Sequence, residues 1–193
     1  MTAMPGQLVV ISGSSGSGKS SIIDRLKTHP RVEVSVSATT RPRRAAEKDG
    51  VHYHFMDRPT FEQREARGEF VETNDVFSAG NLYGSLRSEL DAALARPGMV
   101  YIMEVDVVGA GNISAAGYEG AHFFIMAPSP EVLEQRLRDR GTDTGEAIKG
   151  RLARAQAEEQ MARESGAELI TNENIDEAVK AILDSLSLDP LNA

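Results

Sequence analysis

The chain has 193 residues, 26% of them charged and 40% hydrophobic, with a formal net charge of −8, a pI near 5.1 and no cysteine. That length fits one domain with a buried core, and the absence of cysteine excludes a disulfide framework and any thiolate metal site. The acidic balance argues against a broad nucleic-acid surface, which needs a basic face.

Met1 to Gln7 carries no basic stretch followed by an apolar run, and the apolar runs Leu8 to Ile11 and Ala121 to Ala127 are too short to span a bilayer. The expectation is a cytoplasmic protein, monomer or homodimer, with no membrane or nucleic-acid partner. Arginines nevertheless cluster at Arg41 to Arg44 and at Arg136 to Arg140, the pattern of a site for a small polyanion.

Leu8-Val9-Val10-Ile11 is a β-branched run closed by Ser12-Gly13, which predicts a buried parallel strand. Ser20 to Leu26 follows as a helix with Ile22, Ile23 and Leu26 on one side, and Val32 to Ser37 as a second strand. From Thr39 to Ser85 the texture changes. Short pieces (Val51 to Phe55, Phe70 to Glu72, Val76-Phe77) alternate with charged turns, and one helix, about Arg58 to Arg67, interrupts them. This predicts a small β-rich insertion.

Beyond it, Leu86 to Ala95 reads as a helix, Val100 to Met103 and Ala121 to Met126 as strands. Pro130 to Arg140 is a helix entered through prolines, where a missing N–H costs least. Glu146 to Ser165 is a long charged helix, Leu169-Ile170 a short strand, and Ile175 to Leu186 a closing helix; the tail from Ser187 is expected to fray. Strands alternating with helices predict an α/β fold, with helices on both faces of a parallel sheet. Ligands then sit beyond the carboxyl ends of the strands.

Gly13-Ser14-Ser15-Gly16-Ser17-Gly18-Lys19-Ser20 lies where that rule places a ligand, and it matches the P-loop pattern between a strand and a helix. The glycines let backbone N–H groups turn around an anion. The helix start adds its positive end. Lys19 can reach the β and γ phosphates, Ser20 can meet Mg²⁺, and Ser21 beside it belongs to the ATP site. The loop implies a nucleoside triphosphate but does not separate a kinase from a GTPase or a motor. No Asn-Lys-x-Asp segment for guanine is present, and the chain is short for a motor. The inserted module points to a kinase with a separate acceptor site.

Further motifs follow in order: Ser35-Val36-Ser37-Ala38-Thr39-Thr40-Arg41-Pro42-Arg43-Arg44, then Glu47, Asp49-Gly50 and Tyr53, then Phe70-Val71-Glu72, Gly80-Asn81-Leu82-Tyr83-Gly84-Ser85, and Arg136-Leu137-x-x-Arg140-Gly141-Thr142. Taken together the chain resembles the guanylate kinase family, from about Leu8 to Leu186. The resemblance implies a P-loop nucleoside monophosphate kinase fold as one unit over about 6–187. Its core would be 1–36 and 86–193, with an arginine-bearing lid near 137–155 and a GMP-binding β-rich module at 37–85. It implies phosphorylation of GMP by ATP, with Mg²⁺, and dGMP as a possible acceptor.

By the same resemblance Ser37, Glu72 and Ser85 read the guanine base. Arg41, Arg44, Tyr53 and Tyr83 clamp the GMP phosphate, which suits guanidinium forks and phenol hydroxyls. Lys19, Arg44, Arg140 and Arg151 carry transfer, Arg136 and Arg140 hold ATP, and Asn172 lies near its adenine. Glu104 and Asp106 stand at the acceptor; Glu104 replaces a usual aspartate, which leaves Mg²⁺-bound water or the acceptor as its contact, and a helix N-cap is the alternative for Asp106. Other departures are Pro42 one position early, two extra residues near Ser78-Ala79, Leu82 for a frequent tyrosine and Val108 for a glutamine.

Arg138 and Arg154 are expected to be surface charge. The four histidines lack metal-ligand spacing, with His52 and His54 structural on one strand face. Two rival classes compete. A non-catalytic phosphoprotein-binding relative would be expected to lose the phosphate loop. A kinase for a phosphorylated sugar would not need Ser37, Glu72 and Ser85.

Overall fold

A computed structural model describes residues 5–75, 80–141 and 144–191. The apolar run at the start becomes β1 (Gln7–Gly13), whose five inner residues are all buried. Continuous burial of that kind requires sheet neighbours on both edges and helices on both faces. β1 is the middle strand of a five-stranded sheet in the order β2-β7-β1-β8-β9, where β2 is Val32–Val34, β7 Val100–Glu104, β8 Gly120–Met126 and β9 Glu168–Thr171. Every pairing is parallel. The register sets Ile11 beside Glu104 and Gly13 beside Ile125, so the loop after β1 emerges level with the end of β7.

On one face, α1 (Lys19–Leu26) and α7 (Ile175–Ser185) bury Ile22, Ile23, Leu26, Val179, Ile182 and Leu183 against Val9, Ile11, Ile102 and Phe123. On the other, α3 (Arg87–Leu94) and α4 (Val107–Ala115) pack Leu90, Ala93, Ala110 and Ile113 on Leu8, Val10, Tyr101 and Met103. α5 (Pro130–Asp139) and the 20-residue α6 (Gly145–Glu164) close their own cluster through Leu133, Leu137, Ile148 and Ala155.

The predicted β-rich insertion is a second, four-stranded sheet, β4-β3-β6-β5, made of β3 (Ala38–Thr39), β4 (His54–Phe55), β5 (Phe70–Asp75) and β6 (Leu82–Leu86). Its small core is Ala38, Phe61, Phe70 and Leu86, with Phe61 supplied by α2 (Arg58–Ala66). The predicted Val32 to Ser37 strand is shorter, because the chain leaves one sheet after Val34 and enters the other at Ala38. The predicted strand piece Val76-Phe77 and the extra residues near Ser78-Ala79 lie outside the described residues, as does Thr142.

One helix is added and one expectation is corrected. α4 is a helix of which the sequence showed only its possible N-cap, Asp106, since the two valines and two glycines of Val-Val-Gly-Ala-Gly are poor helix formers; the Asp106 side chain accepts the Gly109 N–H at 2.7 Å. The tail from Ser187 does not fray at its beginning. Ser187 takes a left-handed φ of 53°, the Leu188 N–H donates to Leu183 C=O at 2.9 Å, and Leu188 is buried against α7's own core. This is a Schellman cap with serine where glycine is usual. Among the described residues no helix is long and apolar enough to cross a membrane.

Candidate active site

The phosphate loop leaves β1 at the carboxyl edge of the sheet and turns straight into α1. Gly13, Gly16 and Gly18 all have positive φ. At Gly18 a Cβ would also lie 2.1 Å from Asn172 Nδ2, so a side chain there would displace the amide that holds Ser17 C=O. Gly18 caps α1 with no side-chain hydrogen bond, which leaves the first N–H groups of the helix open to an anion.

Arg136 and Asn172 meet behind the loop. Asn172 is buried and donates from Nδ2 to Ser17 C=O at 2.8 Å, while Arg136 donates to Ser17 C=O at 3.3 Å and to Asn172 C=O at 3.0 Å. Both residues, with Gly18, Asn174 and Ile175, border a hollow of about 520 Å³ on that side. They stand apart from the main cleft, and their polar groups brace the loop.

The main cleft, about 960 Å³, runs from the loop to the second sheet. Its wall contains Gly13, Ser14, Ser15, Gly16, Gly18, Lys19, Ser20 and Ser21 at one end, and Ser37, Tyr53, Glu72 and Tyr83 at the other. Glu104 and Asp106 lie along it, and Arg140 and Arg151 overhang it from α5 and α6. Of the residues singled out in the sequence, Ser17, Arg41, Arg44 and Ser85 do not face this cleft, as Arg136 and Asn172 do not. Arg151 already touches the loop, donating to Ser15 Oγ at 3.1 Å.

Lys19 Nζ donates to Glu104 Oε1 at 2.8 Å. The parallel register makes this contact, because Glu104 ends β7 beside Ile11. The pair is only partly covered, so its net worth is at most about 1 kcal/mol. A triphosphate can therefore compete for the lysine.

At the far end, β5 and β6 pair Glu72 with Ser85 and Asn74 with Tyr83. Glu72 is 8% exposed and accepts the Ser85 hydroxyl at 2.7 Å. Burial pushes its carboxyl pKa up, and the charge of Asp106 adds to the shift. A desolvated carboxylate of this kind gains most from a ligand that brings N–H donors. Tyr53 and Tyr83 stack edge to face, with centroids 5.8 Å apart. Burial raises the Tyr53 pKa, which keeps its phenol protonated and able to donate.

Arg41 is held beside this cleft by a double hydrogen bond to Glu47, at 2.7 and 3.1 Å, and by the rings of Tyr53 and Phe55. Glu47 also accepts the Arg44 N–H at 2.7 Å. The sequence motif includes Glu47, but its role is legible only here: it organises the arginine turn. These bonds hold its pKa down to about 2, from an ordinary 4.5. A lowered carboxylate pKa stabilises the fold fully above pH 4.5, and that contribution is lost as the pH falls toward 2. Glu47→Gln is expected to be less stable than the parent at pH 7 and to match it near pH 2; urea midpoints across that range measure the difference.

Some expectations from the sequence change. Arg154 is not surface charge alone, since it borders the cleft one turn beyond Arg151, a spacing of three that puts both on one helix face. His52 borders the cleft and accepts the Lys48 N–H, while His54 bonds Glu89 at 2.7 Å, so the two do not share one strand. Ser35, which opens the first of the later motifs, also lines the wall, as do Asn74 and the half-buried Glu158, which had no sequence signal.

The chain matches the family model described as Guanylate kinase over residues 5–188. It is 43% identical to a guanylate kinase of Carboxydothermus hydrogenoformans, the match covering 96% of this chain and 91% of that protein. A guanylate kinase of a Nostoc species is 39% identical, over 93% of this chain and 88% of that protein. The crystal structure of guanylate kinase from Anaplasma phagocytophilum superposes with a TM-score of 0.75 at 29% identity, covering all of this chain and 90% of that one.

Proposed function

This chain belongs to the guanylate kinase family, and from that premise we propose that its cleft takes ATP at the loop end and GMP at the β-rich end and transfers the γ-phosphoryl group directly, giving ADP and GDP. The observation that carries this reading is the presence, in one cleft, of an open phosphate loop and a buried carboxylate backed by a hydroxyl, Glu72 with Ser85. We take residues 37–85 as the acceptor module, 1–36 and 86–193 as the donor core, and about 137–155 as the lid. A cytoplasmic location goes with this assignment.

Guanine presents N1–H and a 2-amino group on one edge, and a carboxylate accepts both; adenine offers no such pair. Ser37 and Ser85 complete the base site. Tyr53 and Tyr83 line the path of the acceptor phosphate, and Arg41 and Arg44 converge on it from the Glu47 turn once the module closes. Arg44 is the exposed member and makes no side-chain hydrogen bond among the described residues, so it is available to a phosphate. On the donor side the loop N–H groups and Lys19 take the β and γ phosphates, while Arg136 and Asn172 hold the loop's back against the adenine hollow.

Transfer then proceeds in line. An acceptor phosphate oxygen forms a bond to the γ-phosphorus, and the bond from that phosphorus to the β–γ bridging oxygen breaks, with its electrons leaving on ADP. The acceptor is ionised near neutral pH, so no general base is required. Lys19, Arg140 and Arg151 meet the charge that spreads over the moving group. Closure of the lid excludes water and limits loss of ATP to hydrolysis.

Among the described residues no group of three or more His, Asp and Glu side chains could hold a metal. Ser20, exposed in the cleft at the start of α1, suits Mg²⁺ carried in on the ATP phosphates with few protein ligands. That ion would screen phosphate charge. ATP labelled at the γ position tests the whole reading: the label is expected in GDP, and label released only as inorganic phosphate would overturn it.

A further inference from the structure

We infer that Asn74 is a positioning residue for acceptor selectivity: it holds Asp106 beside Glu72 so that the two carboxylates together read the donor edge of guanine. The inference rests on the GMP reading above. Asn74 is opposite Tyr83 on the β5–β6 ladder, two residues beyond Glu72 and on the same face. It therefore sits between the buried base end of the site and the tyrosine end. Its Nδ2 donates to Asp106 Oδ2 at 2.6 Å, tying the second sheet to the start of α4.

Asp106 is held on both oxygens, since Oδ1 accepts the Gly109 N–H. Gly109 also brings the two acids together. A Cβ there would lie 3.3 Å from Glu72 Oε2 and 3.4 Å from Asp106 Oδ1, so both oxygens border the space that a side chain at this position would take. Guanine carries three N–H hydrogens on one edge, one on N1 and two on the 2-amino group. One carboxylate bonds two of them in a fork, and a second carboxylate at this spacing can take the third. A neutral amide suits the place between base end and tyrosines. It orients Asp106 by a hydrogen bond, yet it adds no positive charge that would draw Asp106 away from the base.

Hypoxanthine differs from guanine only by lacking the 2-amino group, so the ratio of kcat/KM for GMP to that for IMP reports contacts to that group. In Asn74→Ala this ratio is expected to fall about tenfold, the worth of one oriented hydrogen bond to a charged group. The KM for ATP should stay within about twofold. Asp106→Ala should lower the same ratio, and adding Asn74→Ala to it should change the ratio no further. Asn74→Leu, which keeps the branching at the same carbon without the donor, should behave as Asn74→Ala does.

An unchanged ratio in folded Asn74 variants overturns the inference. So does an equal further loss in the Asp106→Ala background, because Asn74 would then act by itself. If the unaltered protein does not phosphorylate GMP, the functional reading itself fails. Normal GMP turnover with an indifferent Asn74 refutes only this role.

Discussion

Lys19→Met is expected to lower kcat about 10²–10³-fold, the usual cost of removing one positioned donor from a transferring group. The side chain is placed for that role by two independent features. It is the first residue of α1, at the open end of the loop, and its ammonium is held over the cleft by Glu104 at 2.8 Å. Stability should change little. Glu104 is 37% exposed at its side chain, so it regains water once the lysine is gone, and pairs this open contribute at most about 1 kcal/mol. A melting temperature within a few degrees of the parent, measured beside the kinetics, separates lost chemistry from lost fold. A kcat within a few-fold of the parent would exclude Lys19 from transfer.

Glu72→Gln is expected to cut kcat/KM for GMP about 10²–10³-fold while leaving the KM for ATP nearly unchanged. The amide would turn an N–H group toward an N–H group of guanine, replacing a charge-assisted bond with an unsatisfied donor pair. The same change should stabilise the nucleotide-free protein at pH 7. Burial raises the Glu72 pKa above its ordinary 4.5. The folded state therefore binds protons more tightly than the unfolded one at this group, and stability falls as the pH rises from 4.5 through the folded-state pKa. Glutamine escapes that loss, and its Oε1 can still accept from Ser85. Urea midpoints should show the variant ahead at pH 7 and level with the parent below pH 4.5. An unchanged KM for GMP would instead favour a phosphorylated sugar as acceptor.

Glu72 was legible in the sequence and its neighbour Asn74 was not. The Phe70-Val71-Glu72 motif that carries the resemblance marked Glu72, and its burial beside Phe70 and Val71 makes that carboxylate costly to keep. Asn74 carries no such cost, and only the strand register and the position of α4 bring it to Asp106. The phosphate loop was legible in full because glycine spacing, lysine and helix start are all local. The arginine turn was legible as charge, whereas Glu47 as its organiser needed the fold. Arg154 was misread because a surface arginine and a cleft arginine look alike until α6 is laid across the sheet. α4 was not read beyond its possible cap, Asp106, because its valines and glycines are poor helix formers. Leu188 was missed for a similar reason, since its burial follows from a left-handed serine that no local preference announces.

The central claim is that one cleft joins an unselective phosphate loop to a site that selects guanine. A panel of GMP, dGMP, AMP, UMP and CMP, each with ATP and Mg²⁺ and followed by ADP release, tests it most directly. The expected result is rapid ADP formation with GMP, turnover of dGMP, and rates with AMP, UMP and CMP lower by about 10³-fold or more. No ADP formation with GMP, or equal rates with AMP, would contradict it.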